Sequence, residues 1–152
     1  MSIQPPGDPP RIRSMLRTWL RRSSLVLIAI GFTAAGINHF RDPALYLAMM
    51  PSWLPWPEAL NLISGAAEVA GGLGVLPRAT RRAAGWGLIA LLVAIFPANL
   101  QMLSTGFPGA DLPAWVLWVR LPLQPLAMAW VWWACVRRRE DDPARASRSV
   151  AT

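Results

Sequence analysis

Four long apolar blocks separated by short polar segments restrict the folds open to this sequence more than any other feature. The blocks cover residues 23–39, 57–76, 83–103 and 113–136. Each has about 17–24 residues, which is enough for a helix to cross roughly 30 Å of hydrocarbon at about 1.5 Å per residue. Charged residues make up only 15% of the chain, against about 25% in a soluble domain. We therefore expect an all-α, four-helix transmembrane bundle, and not an ordinary soluble enzyme, a disordered chain or a disulfide scaffold.

The distribution of arginine predicts which way the bundle faces. All 15 basic residues are arginines, and thirteen of them precede the first block, separate the second from the third or follow the fourth. Because basic residues concentrate on the cytoplasmic side of a membrane, we expect both termini in the cytoplasm. The tryptophans at positions 53, 56, 115 and 118 then fall at the outer interface, where indole rings anchor helices. The net charge of +7 does not predict nucleic-acid binding, since the arginines flank apolar blocks.

Three segments are expected along the chain. Residues 1–22 form a cytoplasmic, Arg-rich N-terminal segment, residues 23–136 the transmembrane domain, and residues 137–152 a cytoplasmic disordered tail. The first block also has the pattern of a signal peptide, but the three later blocks favour a retained membrane anchor. Apolar residues in the N-terminal segment alternate with arginine at helical spacing, which predicts a short interfacial helix on anionic lipid. They are Ile12, Leu16, Trp19 and Leu20.

The first outer loop carries its own helix signals. Asp42 and Pro43 make a favourable helix start, with Asp as the cap and Pro in the first turn, and Pro51 ends the predicted two turns. The loop is too apolar for exposure to water. We therefore expect a short interfacial helix that either lies on the outer interface or folds over the mouth of the bundle. It acts as an anchor or cap, or as a lid over a ligand.

Prolines mark helix starts and interrupt two of the blocks. Pro57 and Pro113 are expected at the first positions of their helices, where a missing N–H costs nothing. Pro97, Pro122 and Pro125 lie inside blocks, and each leaves a carbonyl one turn earlier without its partner. These carbonyls either accept bonds from Arg120, water or a ligand, or mark simple kinks. They belong to Val93, Trp118 and Leu121.

Polar residues inside the blocks define the candidate site. A charge in hydrocarbon costs about 2.5–3.5 kcal/mol, so these side chains are expected to face inward and find partners. All four blocks place such residues in their outer halves, whereas the inner halves are almost wholly apolar. The candidate ligand-binding residues are Asn38, His39, Asn61, Glu68, Asn99, Gln101, Arg120 and Gln124, and the candidate catalytic residues among them are Glu68, Arg120 and His39.

Glu68 and Arg120 are the two charges predicted to lie deepest. Helical rise places Glu68 about 16 Å and Arg120 about 10 Å below the outer mouth, so the long Arg120 side chain can approach Glu68 or extend outward. One interpretation is an ion pair that only fixes which helices touch. The other is an outward-opening pocket for a lipid-soluble ligand, in which Glu68 carries a proton and Arg120 stabilises an anion.

His39 and Cys135 have narrower interpretations. His39 lies at the mouth of the first block, where it is either a hydrogen-bonded interfacial residue or an acid/base group. The sequence has one histidine, so we expect no metal site and no intrinsic cofactor; a bound quinone or lipid stays open. Cys135, the single cysteine, is expected to be a packing residue. Glycines such as Gly36, Gly65 and Gly72 are expected to let helices approach closely.

Several motifs taken together resemble the DoxX-like family of small integral membrane proteins. The motifs are Gly36-Ile-Asn-His-Phe40, Met49-Met-Pro51, Ser64-Gly-x-x-Glu68, Phe96-Pro-Ala-Asn99 and Arg120-Leu-Pro-Leu-Gln124-Pro125. The resemblance covers residues 23–136 and implies a multi-pass bundle in the bacterial cytoplasmic (inner) membrane. It also implies a link to a quinol oxidase and thiosulfate–quinone chemistry, to oxidative-stress complexes, or to the assembly of partner proteins. Its functional site would comprise His39, Glu68, Asn99, Arg120 and Gln124.

Two hypotheses for function follow. The first is a non-catalytic subunit or assembly partner linked to respiratory or redox-stress proteins, with either another membrane protein or a second copy of the chain as its partner in the bilayer. The second is a protein that binds or transforms a quinone-like or isoprenoid lipophile in the polar outer half. We favour a protein without catalytic turnover. Transport is less favoured, because four spans are few and no inverted repeat is visible.

Overall fold

The structure, a computed structural model, describes residues 9–137 of the chain and the side chains of residues 12–137. Apart from an isolated bridge between Phe107 and Ala110, the regular structure of these residues is helical, which confirms the all-α prediction. The helices within this range are α1 (Pro9–Arg41), α2 (Pro43–Met49), α3 (Pro57–Gly74), α4 (Arg81–Ala94), α5 (Phe96–Thr105) and α6 (Ala114–Val131), and a π-helical turn (Trp132–Val136) continues α6. The predicted disordered tail, residues 137–152, lies outside the described residues except for Arg137.

Four long helical segments pack side by side in chain order. α1 packs against α3, α3 against α4, and α4 against α6, while the π-helical turn contacts α1 and closes the ring. Neighbouring helices run antiparallel: His39 near the end of α1 lies beside Asn61 near the start of α3, and Gly85 early in α4 lies against Cys135 in the π-helical turn. α5 packs on α6, and α2 lies against α1, α3 and α5. The result is a four-helix arrangement with α2 over one end.

Two stretches are long and apolar enough to cross a membrane, as judged by length and composition. They are Ile12–Arg41 in α1 and Arg81–Thr105, which spans α4 and α5. Only 28% and 17% of their most apolar windows are buried inside the protein, whereas a helix at the core of a soluble protein is mostly covered by its neighbours. The two stretches are compatible with the predicted membrane protein. Four spans and the orientation of the termini stay predictions.

The apolar core lies toward one end of the bundle, which we call the arginine end. Here Nε of Arg21 donates to the carbonyl of Ala134 at 2.7 Å, and Nε of Arg81 donates to the carbonyl of Val75 at 2.9 Å. These bonds satisfy carbonyls that the ends of helices leave without partners. The buried core residues are Leu25, Ile28, Ala29, Val75, Leu88, Val131, Ala134, Cys135 and Val136.

Several local predictions are confirmed. The side chain of Asp42 caps α2 by accepting from the backbone N–H of Leu45 at 3.3 Å, with Pro43 in the first turn. Pro57 is the first residue of α3. Pro113 is the cap of α6 and not its first residue, so this helix begins one position later than expected.

The predicted N-terminal interfacial helix is not a separate element. α1 is continuous from Pro9 to Arg41, so the interfacial helix and the first span form a single helix. The division between residues 22 and 23, which separates the cytoplasmic segment from the transmembrane domain, stays a prediction. No proline lies between Pro10 and Pro43 to interrupt the backbone hydrogen bonds. The exposed apolar residues of the N-terminal part, such as Trp19 at 72% exposure, extend away from the bundle core.

Candidate functional site

Asn61 holds His39 in place at the contact between α1 and α3. Nδ1 of His39 lies 2.7 Å from Oδ1 of Asn61, and Nδ2 of Asn61 donates to the backbone carbonyl of His39 at 3.1 Å. Both residues are buried. The helices meet closely here because glycines face each other: a Cβ added at Gly65 would lie 2.6 Å from Cβ of His39 and 3.0 Å from the carbonyl of Gly36. The glycines expected to serve packing therefore also set the position of the imidazole.

These hydrogen bonds determine which nitrogen of His39 faces Glu68. Because Asn61 donates through Nδ2, its Oδ1 is an acceptor, so Nδ1 of His39 carries a hydrogen. In a neutral imidazole the other nitrogen, Nε2, is then an acceptor. This Nε2 lies 3.7 Å from Oε2 of Glu68. An unprotonated imidazole nitrogen and a carboxyl oxygen, both able to accept a proton, therefore face each other.

Glu68 does not form the ion pair with Arg120 that the sequence suggested. Its titratable neighbour is His39, while Arg120 donates to Asn99. The reason is the order of the helices. Glu68 lies on α3, which packs on α1 and α4, whereas Arg120 lies on α6, which packs on α4 and α5. The two helices are diagonal in the ring, a relationship that depth along each span does not reveal.

Tyr46 of α2 covers the imidazole of His39. The two rings stack with centroids 3.6 Å apart and an angle of 26° between their planes. The Tyr46 hydroxyl donates to the carbonyl of Ala35 at 3.4 Å and accepts from Nδ2 of Asn38 at 3.3 Å. The short helix thus folds over the bundle, which is one of the two placements expected for it. We call His39, Glu68, Asn61 and Tyr46 the His39 cluster.

A second polar cluster lies between α5 and α6. Nη2 of Arg120 donates to Oδ1 of Asn99 at 3.4 Å, and Nδ2 of Asn99 donates to Oε1 of Gln124 at 2.9 Å. The guanidinium carbon of Arg120 lies 5.5 Å from the ring centroid of Phe107, within the range of a cation–π contact. We call these four residues the Arg120 cluster.

The break between α4 and α5 supplies one partner of the Arg120 cluster. Nε2 of Gln124 donates to the backbone carbonyl of Leu92, in the last turn of α4. A helix leaves the carbonyls of its last turn without intrahelical partners, and Pro97 prevents α4 from continuing unchanged. A carbonyl is therefore engaged by a polar side chain, as expected near an interior proline, but it belongs to Leu92 and not to Val93.

Among the residues that the structure describes, three buried side-chain polar atoms have no hydrogen-bond partner. They are Oε2 of Glu68, Nε of Arg120 and Oγ1 of Thr33. The distance of 3.7 Å between Oε2 of Glu68 and Nε2 of His39 is too long for a hydrogen bond. Thr33 lies beside Gly72, where an added Cβ would be 2.7 Å from its Oγ1. A buried polar group without a partner costs about 1–3 kcal/mol, so these atoms mark positions where a further molecule would be stabilising.

The structure thus brings together most of the residues predicted for the site, but in two groups. Asn38 joins the edge of the His39 cluster through Tyr46. Gln101 is half-buried on α5, and its backbone carbonyl accepts from the hydroxyls of Ser104 and Thr105; its side chain makes no hydrogen bond to either cluster. Cys135 is buried in the apolar core at the arginine end. Among the described residues, no three His, Cys, Asp or Glu side chains lie together as a metal site would require.

Three residues that contribute to the two clusters or lie near them were not predicted from the sequence. One is Tyr46, the single tyrosine of the chain, which lies in the apolar first outer loop. A phenol hydroxyl in such a loop is a signal that could have identified it. Phe107 and Thr33 carry no comparable signal, because their roles depend on which helices become neighbours.

Comparisons with known proteins give a family but no activity. No curated protein and no solved structure matches the chain at a significant level. A family model described as "Domain of unknown function (DUF8561)" matches residues 28–135. This range runs from α1 to the π-helical turn and contains both polar clusters. The chain therefore belongs to the DUF8561 family.

Proposed function

We propose that this chain is a four-span protein of the bacterial inner membrane, of DoxX-like type, whose polar clusters bind a lipophilic molecule with a polar head group. The ligand class is quinone-like or isoprenoid, or another amphiphile of similar shape. The arginine end faces the cytoplasm, and the half that contains both clusters, which we call the polar half, faces outward.

The arrangement of the helices supports a membrane location for all four segments. α3 has 18 residues, about 27 Å at 1.5 Å per residue, which is close to the roughly 30 Å of hydrocarbon. α3 and α6 pack alongside the two stretches that are apolar enough to span, so they occupy the same depth. Large apolar side chains point away from the protein on every long helix, for example Ile30 at 62% and Leu126 at 62% exposure. Lipid covers such surfaces without cost.

Charge supports the proposed orientation. The described residues at the arginine end include Arg22, Arg78 and Arg82, whereas the opposite end carries Asp42, Glu58 and Asp111 with a single exposed arginine, Arg41. The positive-inside rule assigns the first group to the cytoplasm. Labelling from outside the cell tests this in a Cys135→Ser background. An impermeant maleimide should label Ser52→Cys but not Ala79→Cys. Labelling of Ala79→Cys alone would mean that the arginine end faces outward.

The observation that carries the binding function is the pair of unpartnered polar atoms, one in each cluster. Oε2 of Glu68 and Nε of Arg120 are both buried and lack hydrogen bonds. Side chains that serve only to hold helices together normally satisfy each other, since about 90% or more of buried polar groups are paired. Asn61 and Gln124 behave in this way, whereas Glu68 and Arg120 do not. A ligand head group supplies the missing partners.

Native mass spectrometry of the full chain, released from a mild non-ionic detergent, tests this function. We expect a bound molecule of lipid-like mass on the wild-type protein, and its loss in Glu68→Gln. Glu58→Gln is the matched control, because Glu58 is an exposed carboxylate in the first turn of the same helix. If folded Glu68→Gln and Glu58→Gln retain the same molecule to the same extent, Glu68 does not bind it.

A second candidate function is a subunit or assembly partner of respiratory or redox-stress proteins. The observation in its favour is an apolar face of α6: Trp115, Trp118, Leu123 and Leu126 are between 53% and 67% exposed and lie on one side of the helix. Purification in several mild detergents tests it. A stoichiometric partner that is lost in Leu126→Ser supports this function, and recovery of the chain alone in every detergent counts against it.

A further inference from the structure

Arg120 carries a positive charge that no described residue neutralises. Its guanidinium contacts the Asn99 side chain and faces the ring of Phe107, and both groups are uncharged. Glu68, the buried carboxyl group among the described residues, faces His39 and does not contact Arg120. The side chain is only partly exposed, and its Nε is fully enclosed without a hydrogen-bond partner.

An uncompensated guanidinium at this position has few ways to be stable. Arginine does not lose its proton in proteins, so the charge persists at any ordinary pH. A cation–π contact with Phe107 offsets only part of the cost of placing a charged residue within a membrane helix. The remainder has to come from an anion or from water, and an anion bonded to a guanidinium gives the stronger, charge-assisted interaction.

The neighbours of Arg120 hold it ready for an anion. The amide of Gln124 is fixed by its bond to the carbonyl of Leu92 and accepts from Nδ2 of Asn99. Asn99 therefore turns its Oδ1 toward Arg120 and receives Nη2. The guanidinium lies over the ring of Phe107, and apart from the single bond through Nη2 no described residue accepts from its N–H groups. Guanidinium edges are the positions at which carboxylate and phosphate oxygens bind.

We propose that Arg120 binds an anionic head group, so that the ligand of the polar half is an acidic amphiphile. This inference rests on the proposed function and narrows its ligand class. Two types of ligand have the required anionic oxygen attached to an apolar chain. One is a free fatty acid, with its carboxylate, and the other is a phospholipid, with its phosphate diester. The oxygens accept from the N–H groups of the Arg120 guanidinium that no described residue engages, and the apolar chain extends along the helices toward the bilayer.

Paired ligands that differ only in head-group charge test this proposal on the full chain in a neutral detergent. Oleate is compared with oleyl alcohol, and dioleoyl phosphatidylglycerol with dioleoyl phosphatidylcholine, by the rise in unfolding temperature during titration. We expect a saturable rise with at least one anionic member at a concentration at least tenfold below that of its neutral counterpart. Preference for oleate or for phosphatidylglycerol identifies the carboxylate or the phosphate diester as the head group.

Variants separate Arg120 from general charge effects. Arg120→Gln should remove the tenfold preference, whereas Arg41→Gln, which changes an exposed arginine at the same end, should keep it. If Arg120→Gln does not fold, Asn99→Ala carries the test together with the wild-type comparison. This variant keeps the charge but removes the acceptor that positions Nη2, so it should reduce the preference for the anionic member. Equal binding of charged and neutral ligands, or a preference that survives in folded Arg120→Gln, overturns the anionic head group but leaves lipophile binding intact. No binding by any of the four ligands also overturns the anionic head group, whereas lipophile binding as such is decided by the native mass spectrometry described above.

Discussion

Oε2 of Glu68 lies 3.7 Å from Nε2 of His39 across the contact between α3 and α1, and both side chains are buried. Asn61 accepts a hydrogen bond from the other ring nitrogen of His39 and donates one to the backbone carbonyl of His39. A carboxyl group and an imidazole therefore face each other in the half of the protein opposite the arginine end. The predictions below follow from this relationship, from the glycines that permit it and from the separate Arg120 cluster.

Asn61→Ala should destabilise the fold. Asn61 is 1% exposed, and its removal leaves both Nδ1 and the carbonyl of His39 without partners. The expected loss is about 1–3 kcal/mol, the cost of an unsatisfied buried group. Asn38→Ala is the control, because Asn38 makes a single longer bond to Tyr46 at 3.3 Å. Thermal unfolding in detergent measures both, and equal stability of the two variants would argue against the anchoring of His39 by Asn61.

Gly65→Ala should be destabilising as well, for a steric reason. Its Cβ would lie 2.6 Å from Cβ of His39, so α1 and α3 have to move apart, at about 1–3 kcal/mol for overpacking. Gly31→Ala is the matched helical control, because nothing lies within 4 Å of its added Cβ and alanine favours a helix by about 1 kcal/mol over glycine. A Gly65→Ala protein as stable as Gly31→Ala would mean that the two helices do not meet at this point.

Double-mutant cycles should distinguish the observed pair from the pair suggested by the sequence. His39→Gln and Glu68→Gln should couple by about 0.5–3 kcal/mol, because the residues are in contact. Glu68→Gln and Arg120→Gln share no partner and should be close to additive, within about 0.5 kcal/mol. Unfolding temperatures of the four proteins in each cycle give both couplings. Strong coupling between Glu68 and Arg120 alone would restore the ion pair and contradict the helix order described above.

Gln124→Leu should lose stability in a way that depends on Pro97. The substitution leaves the Leu92 carbonyl without the amide that it accepts from, at about 1–3 kcal/mol. Pro97→Ala restores an N–H and removes the ring that prevents a continuous helix, so Gln124→Leu should cost less in the Pro97→Ala background. Thermal unfolding of the two single variants and the double variant measures this difference. Identical costs in both backgrounds would show that Gln124 does not compensate for the helix break.

Much of the fold was predictable because its signals are local. Asp42 with Pro43 marked α2, and Pro57 marked α3, since caps and first turns depend only on neighbouring residues. The stripe that holds Asn61 and Glu68 followed from helical periodicity alone. These residues proved to be buried on the face of α3 that meets α1.

The partners within the site were less predictable, because they depend on helix order. A sequence gives the depth and face of Glu68 but not whether α1 or α6 lies beside it. Glu68 and Arg120 were the two charges predicted to lie deepest, and their attraction suggested an ion pair. In the structure, the close contact of Gly36 and Gly65 brings His39 to Glu68 instead. The stacking of Tyr46 on His39 likewise depends on the direction in which α2 leaves α1.

Photolabelling tests most directly the central claim that the polar half binds a lipophile. The wild-type chain in neutral detergent is irradiated with a fatty acid, and separately with its fatty alcohol, each carrying a diazirine near the head group, and labelled peptides are mapped. We expect saturable labelling beside the two clusters, in residues 39–46 or 99–120, with competition by unlabelled amphiphile. Labelling by both probes that never saturates and is confined to lipid-facing residues such as Leu123 and Leu126 would contradict the account.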